Sequence, residues 1–470
     1  MSKYIKIYIT VLVLNLLLTA SAYPQNAFYS MLDKDTIYRY NSSLRTLDSL
    51  FSSSKKENDT SFYNQYGKAE VITLDQMIYF ALNNSGDLKA LQNRIEAQNY
   101  LAREKTSLPD PMFEFELDNI MSDFSQVGMV NFFVSQTFPF PGKLKLDKES
   151  VMHNSDMMRY DKKDMAANMI SMIKMNYYDL YFIDQKLKIN NDNQEIIKNF
   201  IAASESKYSV GKGMQQEVFK SQIELSKLLN DETVLKEQRK DIYANLTKLT
   251  KVVIDENTKV NFNSIDIAYL LEQNSFNTGN IDPDKLVNYA FDNRADLESI
   301  KHKIIMSETD LDMAKLSRLP DLNLKLGYRI MPFEPKNDFE FMVGVNIPIA
   351  PWSSGKYDNA IQKNSISIKA SNEEYDAKRN EIKNEIVNIL NKLTAAKNTM
   401  KYYSDVVIPQ TENSLKSTQY SYENNMTSFL DLLDSYRMYQ EAELMFDESV
   451  NMYLKMTAEL EKATGMNFKN

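Results

Sequence analysis

Phe113-Glu114-Phe115-Glu116-Leu117-Asp118 alternates an apolar residue with an acid at every step, and Leu322-Asn323-Leu324-Lys325-Leu326-Gly327-Tyr328-Arg329-Ile330 repeats the alternation with neutral and basic partners. Period-two alternation puts one set of side chains on each face of a strand. Each stretch has a companion. Val130, Phe132, Val134 and Phe138 alternate with Asn131, Ser135 and Thr137, while Phe339, Phe341, Val343, Val345 and Ile347 alternate with Glu340, Gly344 and Asn346. The charges demand a wet face in every strand, and the opposite faces are aromatic and aliphatic throughout. A soluble sheet backed by helices has no use for both, whereas strands of about ten residues cross an outer membrane when tilted. Four such strands cannot close on themselves in lipid, where an open edge leaves N–H and C=O groups without partners, since the smallest membrane barrels have about eight strands. Several copies of the chain are therefore expected to share one barrel.

The strand pairs sit inside a longer repeat. Ala81, Asn84, Asp87 and Leu88 lead into a helix halted at Leu108-Pro109-Asp110; Ala290, Asn293, Asp296 and Leu297 lead into one halted at Leu319-Pro320-Asp321, with 296 − 87 = 209 and 320 − 109 = 211. In the first copy, Thr73 is placed to cap a helix whose apolar residues are Leu74, Met77, Ile78, Ala81 and Leu82. Each strand pair ends in a proline turn, Pro139-Phe140-Pro141-Gly142-Lys143 in one copy and Pro348, Pro351 and Gly355-Lys356 in the other. Beyond the first turn there is no Pro or Gly up to Lys207, and such a helix would run for roughly 95 Å. Beyond the second, Ile382, Ile386, Ile389, Leu393, Ala396, Met400 and Tyr403 step alternately by four and three, the pattern of a coiled-coil seam. The expected fold is mainly α with a membrane β-barrel, an internally duplicated helix, strand, strand and long helical hairpin with four strands per chain. The copies span 73–255 and 284–464, joined by a linker at 256–283.

The flanks supply an address. Lys3 and Lys6 precede an apolar run from Ile7 to Leu18, and Ala20-Ser21-Ala22 fits a signal-peptidase site, so residues 1–22 read as a signal peptide too short to anchor the chain. Residues 23–72 form a polar extension, and 465–470 a short tail. The absence of cysteine excludes disulfides and a lipid-modified Cys terminus. A net charge of −9 without any basic cluster argues against nucleic acid. With His153 and His302 isolated in the sequence and no glycine-rich phosphate loop, neither an enzyme nor a bound cofactor or metal is expected. Met158, Met165 and Met172 recur every seven residues. A thioether ladder for soft metal ions is one reading of them, and packing of a helix seam the preferred one.

The two hairpin tips match as well. Tyr208, Gly211 and Gly213 precede Glu217, Val218 and Ser221, while Tyr422, Asn425 and Thr427 precede Asp431, Leu432 and Ser435, with 422 − 208 = 431 − 217 = 435 − 221 = 214. The ordered, duplicated set of Ala-Leu-x-x-Asn start, Leu-Pro-Asp break, Pro-Phe-Pro-Gly-Lys turn and Tyr-x-x-Gly tip, over residues 73 to 464, resembles the TolC family of outer-membrane channel proteins. The turn looks like that of its heavy-metal-efflux branch. The resemblance implies a homotrimer with a twelve-stranded barrel in outer-membrane lipid and a periplasmic α-helical tunnel. It also implies docking of the tips to a periplasmic adaptor and an inner-membrane RND or ABC pump. Asp431, Asp434 and Glu217 then match acids that ring the periplasmic entrance, where a three-fold axis would gather their charge into a cation-attracting gate. Thr427 stands where an arginine can latch the closed state, and Asn425 replaces the glycine of the second tip. The function expected is a passive exit channel of a tripartite export system for small molecules, metal ions or polypeptides. The alternative is a structural coiled-coil protein of the envelope without a conduit.

Overall fold

The computed structural model describes residues 71–120, 127–262, 282–331, 338–346 and 354–465, with 265, 348 and 352. The signal peptide, most of the polar extension, part of the linker and most of the tail lie outside the described residues, as does Pro351 of the second proline turn. In chain order the elements are β1 (Val71–Ile72), α1 (Leu74–Asn84), α2 (Gly86–Glu104), β2 (Met112–Ile120), β3 (Val127–Phe138), α3 (Lys143–Ser209), α4 (Gln215–Thr250), β4 (Lys259–Val260), α5 (Pro283–Asn293), α6 (Ala295–Leu316), β5 (Leu322–Ile330), β6 (Asp338–Val345), α7 (Ser354–Tyr402), a π-helical turn (Tyr403–Val407), α8 (Ile408–Glu423) and α9 (Phe429–Thr464). The helix leading to each strand pair is broken once, at Ser85 and at Arg294. Thr73 caps α1 as expected, closing a reciprocal box with Gln76.

Two compact units form, each drawing on both sequence copies: one is Gly86–Ala166 with Phe291–Asn384, the other comprises the described residues of Met1–Ser85, Ala167–Ala290 and Glu385–Asn470.

The first unit holds a four-stranded antiparallel sheet in the order β2-β3-β5-β6, with β2 and β6 at its edges. Register aligns the apolar rows across all four strands: Phe115 faces Phe132, Phe132 faces Tyr328, and Tyr328 faces Phe339. Among the described residues nothing covers this face, where Phe339 is 86% exposed, Phe113 66%, Phe341 64% and Leu326 61%. The opposite face is knitted by charge. Lys325 pairs with Glu114 and Arg329 with Glu340, while Arg329 Nε donates to Asn131 Oδ1 at 3.1 Å. One aromatic intrudes there: Phe133 is buried, with its ring over Gly327 and the Lys325 ammonium 4.1 Å from its centroid. Gly327 is required by that approach, because a Cβ would fall 2.5 Å from Phe133 Cε1. Beside the sheet, the start of α3 runs antiparallel to α2 and to α6, held by Lys162 to Gln92, Ser155 to Asn99, Ser150 to Asp310 and Ser299 to Asp161. α6 also meets the start of α7, with Asn364 Nδ2 donating to the Asp310 carbonyl at 3.0 Å and Lys378 pairing with Asp296 at 3.3 Å.

The second unit is helical apart from the two-residue parallel pairing of β1 with β4. The heptad seam is its spine: Ile386, Ile389, Leu393, Ala396 and Met400 lie within it, all buried, while the first residue of the stripe, Ile382, is the sheet-bearing unit's and is buried as well. The seam closes at Tyr403, where the helix loosens into the π-helical turn just ahead of Pro409, whose ring and missing N–H an unbroken α-helix would not accommodate. α9 is tied to α3 by Lys174 to Glu461 and by Lys455 and Asn451 to Asp179. Burial, helped by Glu443, pushes the Asp447 carboxyl on α9 up to about 6.

Two outcomes follow from this packing. Gly327→Ala should destabilise the sheet by about 1–3 kcal/mol, the usual cost of overpacking. Combined with Phe133→Ala it should cost less than the sum of the single changes in denaturant midpoints, and simple additivity would mean that ring and glycine do not meet. The folded chain also holds a proton on Asp447 that an unfolded aspartate releases near pH 4, so this group lowers stability as pH rises from about 4 through 6. Asp447→Asn should therefore raise the unfolding midpoint at pH 7.5, by roughly 1–2 kcal/mol after solvent screening, and have little effect at pH 4.

Candidate functional site

The hairpin tips are built from the same backbone device twice. At the first, Gly211 N–H donates to the Tyr208 carbonyl at 3.0 Å and Lys212 N–H to Lys207 at 2.8 Å; at the second, Asn425 N–H donates to Tyr422 at 3.0 Å and Met426 N–H to Ser421 at 2.8 Å. The residue that turns the chain is left-handed in both, φ +69° at Gly211 and +58° at Asn425. Asparagine is among the few residues that enter this region readily, so the replacement keeps the turn. Gly213 is hemmed in, since a Cβ there would lie 2.9 Å from Lys207 Cβ.

Behind the tips, Ile197 and Phe200 of α3, Leu228 of α4, Leu415 and Tyr422 of α8 and Phe429, Leu432, Leu433 and Tyr436 of α9 share one apolar core. Tyr422 is its polar exit. Although it is 3% exposed, its hydroxyl donates to Glu217 Oε2 at 3.0 Å, and the Lys207 ammonium lies 3.7 Å from its ring centroid while donating to its carbonyl. Burial first, and the Glu217 contact second, raise the Tyr422 phenol well above its ordinary range. Tyr422 thus faces inward, whereas Tyr208 is 49% exposed. Further up the hairpins, Arg437 of α9 forms a two-pronged pair with Glu224 of α4, at 2.9 and 3.3 Å. Burial alone would lift Glu224, but the hydrogen bonds from Arg437 and Lys227 pull it below the usual carboxylate range.

The acids expected at the gate are therefore placed unequally. Glu217 accepts from Tyr422 across the hairpins. Asp431 and Asp434 lie exposed one turn apart at the start of α9. Asp431 Oδ2 accepts from the Ser428 N–H at 3.1 Å and from the Ser428 and Thr427 hydroxyls at 2.7 Å each, completing a capping box. The hydrogen bonds from Ser428 and then Thr427 hold the Asp431 carboxyl below its ordinary value. Thr427, the residue before the Ser428 cap, thus spends its hydroxyl on Asp431 of its own helix. Near the tips, the hairpins are tied by Lys207, Tyr422 and Glu217 below and by Glu224 with Arg437 above. The capping box was visible as Ser428-x-x-Asp431 spacing; Lys207, Glu224 and Arg437 carry no sequence signal beyond their charge.

In the sheet-bearing unit, one turn from strand to long helix is closely held. Asp321 Oδ1 accepts from the Phe140 N–H and the Lys143 ammonium, both at 2.7 Å, so the Leu-Pro-Asp break of the second copy clasps the Pro139–Lys143 turn of the first. Gly142 lies within that turn at φ +100°, where a Cβ would also fall 3.3 Å from Leu316 Cδ1. Of the matching turn, Pro348 and Gly355 are described. Along the methionine stripe, Met158 is half-buried while Met165 is 36% and Met172 53% exposed. The two histidines are isolated only in the sequence: their Nδ1 atoms lie 3.4 Å apart.

No family model matches the sequence, and no curated protein is similar to it. Its backbone is similar to solved outer-membrane channels. The channel OprN aligns with a TM-score of 0.70 at 13% identity, covering 88% of this chain and 97% of its own. CusC, whose structures concern folding and transmembrane channel formation, aligns at 0.70 and 13% over 84% and 92%. The outer-membrane protein VceC of Vibrio cholerae aligns at 0.67 and 12% over 84% and 96%. At such identities the likeness is one of architecture: this chain has the fold of the TolC-family outer-membrane channels.

Proposed function

We propose that this chain is the outer-membrane exit channel of a tripartite export system, a passive conduit assembled from three copies. The observation that carries the proposal is the sheet, whose one face is bare aromatic and aliphatic while the other is filled by ion pairs. A face of that kind suits lipid outside and water inside, and the two edges at β2 and β6 have to find partners in other copies. The hairpins supply the periplasmic tunnel. Their tips expose Val210, Met214, Tyr420 and Met426 at 65, 68, 67 and 77%, apolar contacts for a periplasmic adaptor that would couple the channel to an inner-membrane RND or ABC pump. Asp431 and Asp434 face water, free of the other hairpin, and are the acids best suited to a cation-attracting ring.

The internal repeat specifies how copies join. Asp321 precedes β5, and clasps Lys143 just after the neighbouring β3. Their counterparts in the other copy are Asp110, before β2, and Lys356, after β6, with 321 − 110 = 211 and 356 − 143 = 213. β2 and β6 are the two edges, and both Asp110 and Lys356 are exposed. Joining β6 of one copy to β2 of the next brings Lys356 to Asp110, reproducing the clasp between chains. In this cysteine-free protein, Asp110→Cys with Lys356→Cys should yield covalent dimers and trimers with a short bismaleimide in membranes, and neither single variant should. Monomer alone from the double variant would sink the shared barrel.

The gate has its own test in planar bilayers. Asp431→Asn with Asp434→Asn keeps the hydrogen-bond acceptor of the cap, and should abolish block by a trivalent cation from the periplasmic side while leaving assembly intact. Unchanged block in the double variant would reduce these acids to helix solvation.

A further inference from the structure

The chain has two histidines in all, and folding brings them face to face across two helices of the sheet-bearing unit. We propose that His153, Asp156 and His302 form a site for a divalent transition-metal ion of the zinc class, clamping α3 to α6. The spacing is the first argument. His153 Nδ1 and His302 Nδ1 are 3.4 Å apart, and two nitrogens bonded at about 2.0–2.1 Å to a tetrahedral ion are separated by about 3.3 Å. Asp156 follows His153 by three residues and so shares its helix face. Ligand atoms of all three residues lie within 4.8 Å of one another, and all three are half-buried, sheltered yet within reach of water.

The second argument is preorganisation. Ser150 Oγ donates to Asp310 at 2.6 Å on one side of the pair and Ser299 Oγ to Asp161 at 2.7 Å on the other. The bracketed spans are equal, 161 − 150 = 310 − 299 = 11 residues, as two antiparallel helices in fixed register require. The Tyr160 ring stacks on His302 with centroids 5.3 Å apart and planes 24° from parallel, fixing that imidazole's orientation. Ligation uses the Nδ1 lone pair of each ring, leaving the proton of each neutral imidazole on Nε2.

The donor set selects the ion. Two imidazoles and a carboxylate suit zinc, cobalt, nickel or copper(II), rather than magnesium or calcium, which prefer oxygen alone, or copper(I), which prefers sulfur. Water takes the fourth tetrahedral position. Arg159 opposes the site by donating to Asp156 Oδ1 at 2.7 Å, so the imidazoles supply most of the affinity. The ion acts as a cross-link between the two sequence copies, and the site does not depend on the channel reading.

The full-length protein, purified in detergent with a histidine-free affinity tag and stripped by chelator, should bind one Zn²⁺ per chain in titration calorimetry. His153→Gln and His302→Gln should each weaken binding by more than the roughly 10–100-fold that loss of a ligand's supporting hydrogen bond costs, with far-UV circular dichroism unchanged. Asp156→Asn should weaken it less. Zn²⁺ should raise the thermal midpoint of the unaltered protein and not of the double histidine variant, and bound Cu²⁺ should show splitting from two nitrogens in its electron paramagnetic resonance spectrum. No saturable Zn²⁺ uptake by the unaltered protein, or equal uptake by the double variant, would overturn the site.

Discussion

Register in the four-stranded sheet is the constraint on which the rest depends. Side chains alternate with a period of two, so a slip of one residue in any strand would carry charges such as Glu114, Lys325 and Arg329 onto the apolar face and leave their partners on the other. The cross-strand ion pairs and the aligned aromatic row select the same register independently. Phe133 and Gly327 add a steric check, because only the observed pairing puts a residue without a side chain beneath that ring. With the register set, the ends of the strands are set too, and each long helix departs from a defined point.

At one of those points, strand and helix are joined by a carboxylate. Asp321 satisfies the N–H of Phe140 and the charge of Lys143 together, where a proline-rich turn offers few backbone donors of its own. Two motifs that look unrelated along the chain, a helix break and a strand exit from opposite repeats, are halves of one joint. The tips are joined in a similar manner, with Tyr422 presenting its carbonyl and ring to Lys207 and its hydroxyl to Glu217. In both places a residue from one repeat completes a turn or core belonging to the other, so the two sequence copies are interleaved within each compact unit instead of folding apart.

Most of this architecture was legible in the sequence because it rests on periodicity and punctuation. The strands, the first proline turn, the helix from Lys143 and the seam from Ile382 to Met400 stand where alternation, heptads and helix breakers put them. Long-range pairing was not legible. Nothing in the local pattern distinguishes Glu224 and Arg437 from the many solvated charges around them, and the approach of His153 to His302 follows from the packing of helices 149 residues apart. Tyr422 illustrates the difference. Its place in a repeated tip motif was plain, but its burial was not, since an exposed Tyr208 occupies the matching position.

The π-helical turn at Tyr403–Val407 has a historical reading. Extended beyond Met400 in steps of three and four, the heptad stripe would fall on Ser414 and Ser421, yet the buried residues are Leu415 and Tyr422, each one place later. A widened turn holds one residue more than an α-turn, which accounts for that displacement. The two repeats carry the same discrepancy: Lys143 to Tyr208 spans 208 − 143 = 65 residues and Lys356 to Tyr422 spans 422 − 356 = 66. A single codon inserted into the second copy after the ancestral gene doubled would leave this trace, absorbed as a bulge so that the tip kept its core.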